Sequence, residues 1–229
     1  MLNKIFFLIN SGCNLEILFK FLYTKLSILS KKTKKNKIKK EHQLFLKHKK
    51  ITQDYFSKNS YFFLDLLKKL GQFNYLEIGV FEGNSSMFVA RKFKKSQIYC
   101  VDNWVGTEEY SKIDFKIIEN NFDLNIRDFP NITKIKSSSD NFFKENKKNF
   151  EVIYIDGYHN ASQVYLDFKN AWKCLLPGGY IIFDDYIWQF SKNYEDNPCY
   201  AINKYIKELK ENYKIIFVTN SQLCIKRLK

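Results

Sequence analysis

The sequence predicts an α/β fold, a three-layer α/β/α sandwich around a mostly parallel seven-stranded sheet that closes in an antiparallel C-terminal hairpin. Three observations predict it. From residue 51 onward, apolar runs of strand length alternate with longer polar-apolar segments, as strands joined by covering helices do. The last two runs are separated only by Asn220 and Ser221, a spacing for a hairpin. Hydrophobic residues make up 45% of the 229 residues and aromatics 17%, enough to fill one sizeable core plus an appendage.

The strand candidates are 74–78, 97–102, 132–136, 152–156, 180–184, 214–219 and 222–226. Helix candidates fall at 84–94, 112–126, 139–147, 160–175 and 199–212. Residues 52–70 carry aromatics at helical spacing and end in Lys68-Lys69-Leu70-Gly71, a basic last turn followed by Gly. Leu176-Pro177-Gly178-Gly179 reads as the turn into the fifth strand. This order is that of a Rossmann-like sheet.

Residues 1–50 differ from the rest. They hold 13 Lys against Glu16 and Glu41, so they carry +11 of the net +14. The basic character therefore belongs to an N-terminal arm, and a catalytic domain is expected over 51–229. Within the arm, residues 1–30 place Leu15, Leu18, Phe19, Leu22 and Leu26 at helical spacing. Residues 31–50 read either as a solvated, mobile linker or as a basic amphipathic arm on an anionic membrane surface or partner. The five cysteines are scattered with no CxxC pair, which argues against a disulfide framework and a structural zinc site and suits a reducing, cytoplasmic setting. No run reaches the roughly 18–20 apolar residues of a membrane span, and Ile5–Ile9 is short for a signal peptide.

In an open α/β sheet, ligands bind outside the carboxyl ends of the strands. The first strand ends in Glu77-Ile78-Gly79, followed by Gly83, Asn84 and Ser85. Gly79 allows a sharp turn, Gly83 a close approach at the next helix, and Asn84 or Ser85 can cap it. This is not the GxGxxG spacing of a dinucleotide site, and Glu77 would repel a pyrophosphate. A ligand with a cationic sulfonium and amine suits it; the alternative for Glu77 is a helix-capping or salt-bridged acid. The second strand ends in Asp102, Asn103 and Trp104. An acid there can accept both ribose hydroxyls, and Trp104 can stack on adenine or pack in the core. Ser138 and Ser139 follow the third strand, able to cap a helix or bond adenine. Asp156 ends the fourth strand, with His159 just after it, and Asp184-Asp185 end the fifth. Three clustered carboxylates repel unless a cation or proton lies among them, and oxygen donors suit Mg²⁺ or a similar divalent ion.

The segments LEIGVFEGNSS, VDNW, YIDGYHNASQVYLDFKNAWKCLLPGGYIIFDDYIW and the closing 198–226 resemble the compact class I S-adenosylmethionine-dependent methyltransferases, a family that includes sugar and small-molecule O-methyltransferases. The resemblance covers roughly residues 52–227. It implies S-adenosylmethionine held by the Glu77–Gly83 loop with Ser85, by Asp102, Asn103 and Trp104, by Ser138 and Ser139, and by Asp156. In members with a metal, it implies Asp156, Asp184 and Asp185 as ligands. Catechol-type relatives carry Asp-Asn where this chain has Asp184-Asp185. His159 is the expected general base, with Asp156 beside it, acting on a small-molecule or sugar hydroxyl.

Three other functions compete with this one. A nucleic-acid methyltransferase would use the basic arm, but the chain has Asp156-Gly157-Tyr158-His159 where base methylation wants an Asn/Asp-Pro-Pro-aromatic tetrad. A nicotinamide oxidoreductase lacks its GxGxxG. A non-catalytic binding module on the same fold is disfavoured by intact Glu77, Gly79, Asp102 and Asp156.

Overall fold

The computed structural model describes residues 1–106 and 113–229. Its strands form a seven-stranded sheet in the order β3-β2-β1-β4-β5-β7-β6, with β1 at Asn74–Ile78, β2 at Gln97–Asp102, β3 at Ile132–Lys136, β4 at Phe150–Ile155, β5 at Leu175–Phe183, β6 at Tyr213–Val218 and β7 at Leu223–Arg227. The α/β class with its antiparallel C-terminal hairpin is the one the sequence predicts. The chain divides into two compact units, residues 30–139 and residues 1–29 together with 140–229.

In the 30–139 unit, β1 pairs parallel with β2 and β2 parallel with β3. β1 is buried on both faces, and Ile98, Cys100 and Val101 of β2 are buried, as strands covered by helices require. Helix α5 (Asn84–Lys92) and helix α6 (Phe115–Ile126) are the connections. Helix α6 starts where Asp114 accepts the Lys116 N–H at 2.9 Å, an N-cap. The expected start at residue 112, and 107–112 of the loop before it, lie outside the described residues. The helix expected within 52–70 is shorter, α4 at Ser60–Leu67. Ahead of it, Asp54 accepts the Ser57 N–H at 2.9 Å and turns the chain instead of letting it coil.

The lysine-rich segment is helical over α3 (Lys32–Leu46). Ile38, His42 and Leu46 recur every four residues and are its buried side chains. His42 Nε2 lies 2.7 Å from Asn84 Oδ1, and its ring packs edge-on against Phe88 at 5.0 Å. Burial pushes the His42 pKa down to about 4, so the ring is neutral. Glu41 binds Lys92 at 2.5 Å and Arg91 at 3.2 Å, both in the last turn of α5.

In the other unit, α1 (Leu2–Asn10), α2 (Leu15–Ser30), α8 (Ala161–Cys174) and α9 (Pro198–Glu208) accompany β4 to β7. Asn160 caps α8 by accepting the Ser162 N–H, and Pro198 opens α9 at a position where no N–H is needed. Phe168 of α8 meets Phe183 at 4.5 Å and Tyr205 of α9 at 4.6 Å, a buried aromatic knot. Pro177-Gly178-Gly179 lies inside β5, where the sequence predicts a turn before it. The pairing with β4 runs Phe150↔Leu175 and then Val152↔Tyr180, so the extra residues bulge out of the ladder. Gly178 (φ +82°) makes the kink, and a Cβ on Gly179 would sit 2.8 Å from the Glu151 carbonyl. The closing hairpin turns at Asn220-Ser221, shut by the Thr219 N–H on the Gln222 carbonyl at 2.7 Å.

Candidate functional site

In the 30–139 unit the turn after β1 is built by two carboxylates. Asp102, the last residue of β2, accepts the N–H groups of Val80 (2.8 Å) and Phe81 (3.0 Å) with Oδ2, and that of Trp104 (2.8 Å) with Oδ1. Around these bonds Gly79, Phe81, Gly83 and Trp104 all stand at positive φ, between +49° and +81°. For Phe81 and Trp104 that is a sparsely populated conformation, which costs energy unless neighbouring bonds impose it. Asp102 remains half-buried, with three of its roughly four acceptor positions filled by backbone.

Glu77 is fully buried in β1. Its carboxylate accepts the Ser85 hydroxyl, the Ser86 hydroxyl at 2.6 Å and the Tyr75 hydroxyl at 3.1 Å. Burial pushes its pKa up to about 7, against the three hydroxyls and with a smaller push from Asp102. The sequence reading offers Glu77 to a ligand or to a helix start. The geometry places it on the helix start, where it ties β1 to the first turn of α5.

Trp104 is buried, stacked at a tilt on Phe122 (5.0 Å), with its indole N–H on the Phe81 carbonyl (3.0 Å) and Lys134 Nζ 4.7 Å from a ring centroid. Asn103 is exposed and its Oδ1 accepts the Val105 N–H. Gly83, the residue before α5, packs so closely that a Cβ would sit 3.0 Å from the Phe122 ring. Ser138 is half-buried, and Ser139, also half-buried, opens α7 (Ser139–Glu145). The Ser137 N–H bonds the Asp102 carbonyl at 2.9 Å, which brings the exit of β3 to the exit of β2.

The 140–229 part holds the second cluster. Register Ile155↔Phe183 in the parallel β4/β5 pair sets the next residues, Asp156 and Asp184, side by side. The chain then turns through Asp185 at φ +46°. Among the described residues, the metal-type donors that converge are Asp156, His159 and Asp185, with one atom of each within 4.8 Å of the others. His159 Nε2 lies 3.3 Å from Asp185 Oδ2 and 3.9 Å from Asp156 Oδ1, and its ring stands edge-on to Trp188 at 4.8 Å. Asp184, beside Asp156, is not among these three donors. Its Oδ2 lies 2.5 Å from the Tyr154 hydroxyl and its Oδ1 accepts the Asp185 N–H at 2.9 Å. Surrounding protein and the neighbouring Asp184 charge raise the Asp156 carboxyl well above the usual carboxylate range, while His159 pulls the other way. A carboxylate held out of its comfortable charge state, with an imidazole and a second carboxylate facing it, suits a divalent cation.

Sequence reasoning misses Tyr75 and Tyr154. Each stands two residues before an acid on the same strand face, Tyr75 before Glu77 and Tyr154 before Asp156, so the period of two carries the signal. It also misses Glu82. This buried acid accepts the Thr52 N–H (2.7 Å), the Thr52 hydroxyl and Asn121 Nδ2 (2.8 Å), fastening residue 52 to the glycine turn.

Residues 76–186, which contain both clusters, match the family model described as a methyltransferase domain. An uncharacterized protein of Acanthamoeba polyphaga mimivirus is 27% identical over 180 residues, 72% of this chain and 76% of that protein. A Staphylococcus aureus protein described as a caffeoyl-CoA O-methyltransferase superposes with a TM-score of 0.60 at 16% identity, over 90% of this chain and 99% of the other. MycE, a methyltransferase of mycinamycin biosynthesis solved with Mg, SAH and mycinamycin VI, superposes with a TM-score of 0.55 at 14% identity, over 77% of this chain and 51% of its own. Structures described as rRNA methylases share the fold as well. At these identities the structural likenesses are likenesses of fold.

Proposed function

We propose, from the premise that the chain is a class I S-adenosylmethionine-dependent methyltransferase, that it methylates a hydroxyl oxygen of a small molecule or sugar with the help of a divalent cation. The observation that carries the proposal is the convergence of Asp156, His159 and Asp185 at the ends of β4 and β5. Donors of this kind suit hydroxyl activation. The tetrad wanted for base methylation is missing from the same strand end.

The donor, when bound, supplies an electrophilic methyl on a sulfonium. A hydroxyl oxygen bonds to that carbon as the carbon–sulfur bond breaks, leaving the thioether and a proton to be taken up. What the protein contributes is alignment, worth about 7–11 kcal/mol of the barrier when the geometry is good.

On this proposal Asp102, half-open at the end of β2, accepts a ribose hydroxyl at its remaining acceptor position. Gly79 and Gly83 let the backbone close on the donor, and Asn103, Ser138, Ser139 and Trp104 border it. Glu77 acts through Ser85 and Ser86 and is a positioning residue. Asp156, His159 and Asp185 would hold a divalent cation such as Mg²⁺, which lowers the pKa of a bound hydroxyl. Asp184 and Tyr154 orient Asp156. If no cation binds, His159 is the base and the two carboxylates orient its ring.

The test is methyl transfer from labelled S-adenosylmethionine to panels of phenols, polyols and sugars, with Mg²⁺ and after exhaustive chelation. Transfer to a hydroxyl that chelation abolishes and Mg²⁺ restores supports the whole proposal. Full activity after chelation removes the cation, and transfer to RNA alone removes the acceptor class.

A further inference from the structure

Helix α2 carries two apolar faces, and only one of them is covered. Ile17, Phe21 and Thr24 are buried. On the opposite side Leu15, Phe19, Leu26 and Leu29 keep 69–71% of their surface exposed, and Leu22 and Tyr23 are exposed between them. At about 100° per residue these six fall within an arc of about 120°. A stripe of that size left to water is costly on a soluble protein and marks a contact surface. Helix α1 repeats the pattern on a smaller scale, with Phe7 and Leu8 buried while Leu2, Phe6 and Ile9 are exposed.

The charges beside the stripe select the occupant. Lys20 and Lys25 flank it on either side. Past Ser30 the chain continues with Lys31, Lys32, Lys34, Lys35, Lys37, Lys39 and Lys40. Of the two acids in residues 1–50, Glu41 is already bound to Arg91 and Lys92, and Glu16 Oε1 faces the Ile215 N–H at 3.4 Å. A second copy docked symmetrically through the stripe would bring lysines toward the same lysines. An anionic lipid surface meets both demands, taking the apolar stripe into its acyl boundary and pairing the lysines with headgroups. Sixteen residues of helix span about 24 Å, short of a bilayer core, and no described helix is long and apolar enough to cross a membrane.

We propose that helix α2 seats this protein on an anionic membrane surface, lying in the interface with Leu15, Phe19, Leu22, Leu26 and Leu29 inserted. The lysines supply attraction that reaches about one Debye length and weakens with salt.

Vesicle co-sedimentation of the full chain tests this, with phosphatidylcholine alone and with about 30% phosphatidylserine added. The wild-type protein is expected to partition at least tenfold more strongly onto the anionic vesicles. The double variant Phe19→Asp/Leu26→Asp, altered only at exposed positions, is expected to lose at least tenfold, as is Lys31→Glu/Lys32→Glu/Lys34→Glu. Far-UV circular dichroism and the SAH-induced thermal shift should match wild type, which separates lost lipid contact from lost fold. Three results overturn the proposal: no binding to anionic vesicles, binding indifferent to Phe19→Asp/Leu26→Asp, or light scattering that shows a wild-type dimer dissociated by those substitutions.

Discussion

His159 Nε2 sits 3.3 Å from Asp185 Oδ2, and Asp185 meets it from a backbone turned to φ +46°. Two residues from different strand ends thereby share one small volume with Asp156. If the pair holds a cation, His159→Asn should weaken apparent Mg²⁺ affinity about 10–100-fold, and excess Mg²⁺ should recover part of the rate. If His159 is the base, turnover should fall about 10²–10⁴-fold with no recovery by metal. Metal titration of the rate in wild type and variant decides between the two roles.

Tyr154 is buried, and its hydroxyl lies against both Asp156 and Asp184. Tyr154→Phe leaves two partly buried carboxylates without that donor. Urea denaturation should show a loss of about 1–3 kcal/mol. The metal dependence of turnover should shift as well, a change that lost packing alone would not produce.

Glu77 and His42 titrate in opposite senses. The Glu77 pKa is raised to about 7 from 4.5, so its contribution to stability is full below 4.5 and is lost as pH rises toward 7. The His42 pKa is lowered to about 4 from 6.5, so its contribution is full above 6.5 and is lost as pH falls toward 4. The two slopes oppose each other through the shared window, each worth roughly 3 kcal/mol at most. Glu77→Gln should therefore make stability rise with pH between 4.5 and 6.5 more steeply than in wild type. Thermal melts across that range check it, and an unchanged slope would mean that Glu77 is ionised throughout.

Gly83 combines φ +80° with a neighbouring Phe122 ring. Gly83→Ala adds a strained conformation to a contact that the ring must yield to. The expected loss is about 1–3 kcal/mol in urea denaturation, accompanied by weaker SAH binding because the same turn faces the donor.

Much of this was legible in the sequence. The strand and helix order, the hairpin at Asn220-Ser221, and the placing of Asp156, His159, Asp184 and Asp185 at two strand ends all follow from periodicity and from residue positions; that His159 and not Asp184 converges with Asp156 and Asp185 does not. Less legible was the direction each carboxylate takes. Glu77 turns to Ser85 and Ser86, and Asp184 turns to Tyr154, because local donors compete with any ligand for a buried acid. The lysine-rich segment was ambiguous in a different way. Composition left residues 31–50 open between a solvated linker and a basic amphipathic arm, because the helical stripe of Ile38, His42 and Leu46 is narrow enough to be hidden among lysines. Pro177-Gly178-Gly179 read as a turn and became a bulge, since a glycine kink interrupts pairing without ending a strand.

The most direct measurement is calorimetric titration of SAH into wild-type protein and into Asp102→Asn, with circular dichroism confirming the fold of both. The account expects one site per chain in wild type and at least tenfold weaker binding in the variant, a difference of about 1.4 kcal/mol or more. Equal affinity in the two folded proteins would contradict the ribose contact assigned to Asp102, and no binding to wild type would contradict the donor site as a whole.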